Sequence, residues 1–268
     1  MRNLTMLTDL YQLTMMYGYF KHGMADNEGV FDVFFRPRSN ITYAIAAGLQ
    51  SVIEYINNLH FAENDIAYLR SLNLFDEDFL NYLRTLRFTG EIYAMPEGTV
   101  VFPYEPLVRV RAPIMQAQLI ETALLTFVNH QTLIATKASR VCYAAEDGAV
   151  LEFGLRRAQG ADAGIYGARA AIIGGCASTS NVLTGEMFGI AVSGTHAHSW
   201  VMSFPDEISA FRAYADTFPH ACLLLVDTYD TLRSGVPNAI QVFRELREKG
   251  HEPLGIRLDS GDLAYLSK

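Results

Sequence analysis

Apolar residues recur along this chain at two spacings. Leu49, Val52, Ile53, Ile56 and Leu59 stand three and four apart, which is the spacing of one helix face. Phe79, Leu80, Leu83 and Leu86 repeat that spacing behind Asp76, a residue type that caps helix starts by accepting a backbone N–H. From Glu91 to Arg111 the period shortens to two. Ile92, a Pro96-Glu97-Gly98 turn, Val100 to Phe102, and Val108 and Val110 alternating with Arg109 and Arg111 predict antiparallel strands. Pro113 closes that stretch, and residues 116–134 read as a long buried helix.

Beyond about residue 145 the rhythm becomes regular. Short apolar runs at 149–153, 189–192, 221–226 and 254–258 read as strands. Helical patterns fall between them at 206–214, with Asp206 as cap, and at 236–248. Strands alternating with helices predict a parallel sheet, open or closed into a barrel. The expected organisation is a mixed α+β N-terminal domain over residues 1–115, followed by an irregular α/β barrel domain over residues 116–268.

Each expected strand is followed by polar groups. Gly154, Arg156 and Arg157 follow the first, and Thr195, His196 and His198 the second. Asp227, Thr228 and Asp230 follow the third, while Arg257, Asp259, Ser260 and Asp262 surround the end of the fourth. Barrel enzymes gather their chemistry at strand C-terminal ends. Helix caps and surface turns would account for any one of these groups taken alone.

Composition narrows the classes. The net charge of −8 argues against a broad nucleic-acid-binding face. Cys142, Cys176 and Cys222 are widely spaced among apolar neighbours, as reduced core thiols would be, and show no zinc or disulfide pattern. The N-terminal residues read as neither a signal nor a transit peptide, and no apolar run approaches the ~20 residues of a membrane span. The expected location is the cytoplasm, away from membranes.

Gly194-Thr195-His196-Ala197-His198-Ser199 holds the densest chemistry. If this segment is extended, His196 and His198 point to one face. Three readings follow: a metal-binding pair, one reactive imidazole beside a bystander, or a structural pair. The metal reading belongs to barrel hydrolases, which need further ligands from later strands. His220 and His251 do not stand at strand C-terminal ends, so no metal site is expected. The 258–262 stretch, Leu258-Asp259-Ser260-Gly261-Asp262, suits ribose hydroxyls or a magnesium ion, or else a capped loop. Phe153 and Arg156 in one loop suit a planar anion, by stacking and paired hydrogen bonds, or else a surface salt-bridge cluster.

Taken in order, several segments resemble the nicotinate phosphoribosyltransferases, a type II phosphoribosyltransferase family. They are Leu7-Thr8-Asp9-Leu10-Tyr11-Gln12-Leu13-Thr14-Met15, Phe34-Phe35-Arg36, Ala46-Ala47-Gly48-Leu49, Phe153-Gly154-Leu155-Arg156-Arg157-Ala158-Gln159-Gly160, Thr179-Ser180-Asn181-Val182-Leu183, the Gly194–Ser199 stretch, and Arg257-Leu258-Asp259-Ser260-Gly261-Asp262. The resemblance implies ATP-coupled transfer of phosphoribosyl from phosphoribosyl diphosphate to nicotinate, with Mg2+, in a homodimer with shared active sites. It implies that His198, the imidazole directly before a serine, is transiently phosphorylated, with Asp227 and Asp259 as its catalytic company. It assigns Phe153 and Arg156 to the pyridine and Arg257 with Asp259 to the pyridine carboxylate and ribose. Thr195 is a further substrate-binding residue, and Tyr11 covers the other ring face from the neighbouring subunit. Arg38 matches an arginine offered across the dimer to the diphosphate. Family members are longer, so the barrel is expected to be incomplete at its C-terminal end. Two rivals stand beside this reading: a truncated relative that binds ligand or dimerises without catalysis, and a metal-dependent hydrolase using His196 and His198.

Overall fold

The computed structural model describes residues 3–37 and 42–268; Arg38 lies outside the described residues. The chain forms two compact units, residues 1–193 and 194–268.

In the first unit, helix α1 (Leu10–Lys21) leads to β1 (Glu28–Val33) and β2 (Ala44–Ile45). Three short helices follow, α2 (Leu49–Asn57), α3 (Glu63–Ser71) and α4 (Glu77–Thr85). Strands β3 (Glu91–Ala94), β4 (Val100–Val101) and β5 (Val108–Pro113) precede the 31-residue helix α5 (Ile114–Ala144). The unit closes with β6 (Leu151–Glu152), α6 (Ala161–Ile173), β7 (Ser178–Thr179) and α7 (Val182–Phe188).

The expected Asp76 cap is present, its carboxylate accepting from Phe79 N at 3.0 Å, and Phe79, Leu80 and Leu83 are fully buried. The period-two run forms β5, the central strand of an antiparallel sheet ordered β1-β5-β3. Val108, Val110 and Ala112 face the core, while Arg109 and Arg111 face outward to Asp32 and Glu28. Helix α5 packs beneath this sheet, burying Met115, Leu119, Ile120 and Leu124 in one core with α1 to α4. The expected border at 115/116 therefore falls at the start of a helix that belongs to the N-terminal core.

Small residues let α6 lie close to α5. A side chain on Gly174 would sit 2.4 Å from the Ala135 carbonyl, and Ala138 and Ala171 share a buried cluster with Cys176. A half-buried ion pair, Arg169 Nη2 to Glu97 Oε2 at 2.6 Å, ties α6 to the turn after β3.

The second unit runs α8 (His198–Met202), α9 (Glu207–Thr217), β8 (Leu223–Leu225), α10 (Val236–Glu248), β9 (Gly255–Arg257) and α11 (Leu263–Leu266). Its core joins Phe211 and Tyr214 of α9 to Cys222, Leu224 and Val226, and to Ala239, Val242 and Leu246 of α10.

Parallel pairing is present but short. Strand β6 pairs with β7, and β8 pairs with β9. Among the described residues these are separate two-stranded sheets, and no closed barrel is formed. The strand expected at 189–192 is reduced to one parallel bridge, Thr179 to Val192. Gly189, at φ 65°, is instead the left-handed cap of α7, and Ile190 N still donates to Gly185 O. The segment leaves a helix end and meets β7 only at Thr179, whose N donates to Ala191 O at 3.1 Å and whose O accepts from Ser193 N at 2.9 Å.

Candidate active site

Strand β8 has two edges. One pairs with β9; the other is satisfied by side chains from the segment before α8. Thr195 Oγ1 donates to Leu223 O at 2.8 Å, and Leu225 N donates to His196 Nε2 at 3.2 Å. These side chains take the hydrogen bonds a neighbouring strand would otherwise make. His196 is buried, edge-on to the Tyr214 ring with centroids 4.6 Å apart. Because Nε2 accepts, the ring proton sits on Nδ1. Burial holds its pKa below the usual imidazole value.

The two histidines therefore do not project together as the extended reading required. Ala197 caps α8 and His198 is the first residue of that helix, so the alternation of a strand ends there. With His196 bound to the backbone of β8, a metal pair with His198 does not form. Among the described residues, no group of three His, Cys, Asp or Glu side chains is arranged to hold a metal ion.

His198 is the accessible imidazole, its side chain 38% exposed. Its Nδ1 lies 3.2 Å from Thr228 Oγ1 and 4.0 Å from Asp227 Oδ1. On the other side, Nε2 lies 3.7 Å from Asp259 Oδ2. Each ring nitrogen thus has a carboxylate close by. Arg257 in turn holds Asp259, Nη2 to Oδ1 at 2.9 Å.

Asp227 is the anchor of this group. Its Oδ2 accepts from Asp259 N at 2.8 Å and from Ser260 Oγ at 2.7 Å, joining the end of β8 to the loop after β9. Its Oδ1 is buried and has no hydrogen-bond partner. Burial alone would push the carboxyl pKa up. The bonds from Ser260 and Asp259 N, with the nearby His198 imidazole, outweigh it and hold the acid below the usual carboxylate range.

Not every polar group after a strand joins in. Asp230 accepts from Arg233 N at 2.9 Å and Asp262 from Tyr265 N at 3.0 Å, so both act as caps. Burial pushes the Cys222 thiol up to about 11 and the Cys176 thiol, beside Cys142, to about 12, which removes both as nucleophiles.

The Phe153 and Arg156 loop belongs to the first unit. Phe153 is half-buried, and Arg156 is exposed on a single 3₁₀ turn, Leu155–Arg157. Glu152 shapes this loop: its carboxylate accepts from Gly154 N and, at 2.6 Å, from Thr179 Oγ1 of β7. A cavity of about 470 Å³ opens beside the loop, lined by Glu152, Gly154, Leu155, Arg157 and the start of α6; neither Phe153 nor Arg156 lines it. Tyr11 stands 49% exposed on α1. Along α1, Met16, Tyr17, Tyr19 and Phe20 pack into the chain's own core, and Tyr11 and Met15 are left outward.

Sequence reasoning grouped Thr228 and Ser260 with the polar residues at strand ends but gave neither its own part, and it gave no role to Glu152 or Gln12. Glu152 was visible as a lone charge inside an apolar run.

Residues 6–129 match the family described as nicotinate phosphoribosyltransferase (NAPRTase) N-terminal domain. Over 99% of its length the chain is 53% identical to nicotinate phosphoribosyltransferase of Bacillus subtilis, covering 54% of that protein. It is 40% identical over 98% of its length to the Dictyostelium discoideum protein of that name, covering 52% of it. The chain thus spans about half the length of these curated relatives. The crystal structure of human nicotinic acid phosphoribosyltransferase is similar to 96% of this chain at a TM-score of 0.87 and 37% identity, with 61% of the human chain covered. A nicotinate-nucleotide pyrophosphorylase structure from Pyrococcus furiosus is similar at a TM-score of 0.72 and 26% identity, covering 97% of this chain and 58% of that one.

Proposed function

As the chain is a relative of the nicotinate phosphoribosyltransferases, we propose that this protein joins nicotinate to phosphoribosyl diphosphate, giving nicotinate mononucleotide and diphosphate, with ATP hydrolysis coupled to the reaction. The observation that carries this reading is the setting of His198, an accessible imidazole with Asp259 at one nitrogen and Thr228 and Asp227 at the other. A nucleophilic imidazole needs its ring oriented and its positive charge balanced while a phosphoryl group is attached. In the proposed step an N–P bond forms on His198, the bond between the β–γ bridging oxygen and the γ-phosphorus of ATP breaks, and ADP leaves. Asp227 and Asp259 balance the imidazole's charge, and Thr228 holds the ring.

In the transfer itself the pyridine nitrogen attacks the anomeric carbon as diphosphate departs, so the protein's work is positioning and charge stabilisation. Phe153 and Arg156 are assigned to the pyridine and its carboxylate. Arg257 with Asp259 are assigned to the carboxylate and ribose, and Thr195 to the substrate as an acceptor, since its hydroxyl proton is already given to Leu223 O. Tyr11 is assigned to the second ring face of a partner protomer's substrate, and Arg38 to the diphosphate. We place these strands in an irregular α/β barrel, in a homodimer of the cytoplasm. Among the described residues, no helix is long and apolar enough to cross a membrane.

Magnesium usually takes one or two protein carboxylates and completes its shell with water and substrate phosphates. The residues fit that mode: Asp227 has a buried Oδ1 without a partner, with Asp259 beside the same histidine. When bound, the ion would neutralise charge on the diphosphate. The test is release of diphosphate by the purified native gene product. Release that depends on nicotinate and that nicotinamide does not replace supports the reading. Binding of nicotinate with no release would favour the non-catalytic relative.

A further inference from the structure

Gln12 is fully buried on α1, and each polar atom of its side chain is used. Its Oε1 accepts from Gln118 Nε2 of α5. Its Nε2 donates to Glu121 Oε2 at 2.9 Å and to the phenol oxygen of Tyr11 at 2.9 Å. Gln118 Nε2 also donates to Glu121 Oε2, at 2.9 Å. The sense of these bonds is fixed by chemistry. A carboxylate only accepts, so both amide nitrogens must face Glu121. Gln12 then presents an N–H to the phenol oxygen, and the phenol's own proton is left for an acceptor outside the cluster.

Two further bonds pin the start of α1 to α5. Thr8 Oγ1 donates to Leu119 O at 3.2 Å, and Thr122 Oγ1 donates to Asp9 Oδ2 at 2.9 Å. Buried amides such as those of Gln12 and Gln118 are expensive to keep in a core unless every group is satisfied, and apolar side chains would fill the same space without that demand. Here the satisfied network ends on an exposed aromatic.

We infer that Gln12, Gln118 and Glu121 are positioning residues for Tyr11, fixing its phenol and leaving its proton free to donate. The inference rests on the proposed assignment of Tyr11 to a partner protomer's pyridine.

A kinetic cycle on the native gene product tests it, using Gln12→Met, Tyr11→Phe and the double variant, with thermal unfolding of each as the folding control. Loss of one neutral hydrogen bond predicts a KM for nicotinate raised about 2- to 10-fold in Gln12→Met, with kcat little changed. On the Tyr11→Phe background the same substitution should raise KM no further, because its target is gone. An equal increase in both backgrounds would overturn the inference and reduce Gln12 to a packing residue. If Gln12→Met does not fold, Gln118→Met enters the same cycle with the same two outcomes. Tyr11→Ala separates the levels. If it leaves KM unchanged, the assignment of Tyr11 itself fails. If it raises KM while Gln12→Met does not, only the positioning role fails.

Discussion

His196 and His198 show how far two identical side chains can diverge across one intervening residue. One closes the edge of a strand and is buried against Tyr214; the other opens a helix beside three polar partners. The sequence made the pair conspicuous, but the division of labour depends on where the backbone turns into α8, which no spacing rule announces. His196 has a measurable consequence. Its folded pKa is depressed below the unfolded value of about 6.5 by burial, so below that value the unfolded chain binds the extra proton. Its stabilising contribution should be complete above about pH 6.5 and be lost as pH falls from there toward the folded pKa. Asp227, whose carboxyl is held low, loses its contribution only below about pH 4, so the two windows separate. Urea midpoints measured from pH 8 to pH 5 should fall, and His196→Gln should flatten that fall. A midpoint independent of pH across this range would contradict the burial of a neutral imidazole.

Among the elements, those with a cap and an apolar stripe were legible. Helix α4 begins behind Asp76, and α10 occupies the stretch its pattern marked. Of the strands of two or three residues, β4, β6, β8 and β9 fall within the runs read as strands, whereas β2 and β7 were silent, because two positions alone carry no reliable period. Helix α6 was silent for a different reason: it packs through Gly164, Gly167, Ala168, Ala170 and Ala171, where close approach replaces large side chains. Glycine also sets the geometry behind the candidate site. A side chain on Gly235, in the turn entering α10, would lie 1.8 Å from Val226 O, one residue before Asp227. Gly235→Ala must therefore push β8 and the turn apart, at a cost of about 1–3 kcal/mol. The expected result is a lower melting temperature together with weaker phosphorylation of His198, since Asp227 moves with its strand. Unchanged melting and unchanged phosphorylation would show that the turn relaxes freely.

For the whole molecule, the seven ordered motifs carried more than any pattern of periodicity, and the Bacillus subtilis relative is similar over 99% of the chain. Architecture was less legible. The expected barrel appears here as separate parallel pairs, and the N-terminal unit extends well past residue 115. Helix α1 is rich in aromatic and Met residues, a composition that core and interface helices share, and burial alone shows that most of them belong to the chain's own core. Tyr11 remains outward, and its proposed use by a partner protomer predicts complementation. Mixing Tyr11→Ala with Arg156→Ala protomers should restore part of the activity that each lacks. No restoration, with hybrid dimers shown to form, would confine each site to one protomer. The central claim is that His198 carries the phosphoryl group. The most direct measurement is labelling of the native gene product with γ-labelled ATP, followed by mapping of the adduct. The account predicts an acid-labile, base-stable label on His198 that is absent from His198→Ala and retained by His196→Gln. A label that survives in His198→Ala would contradict it.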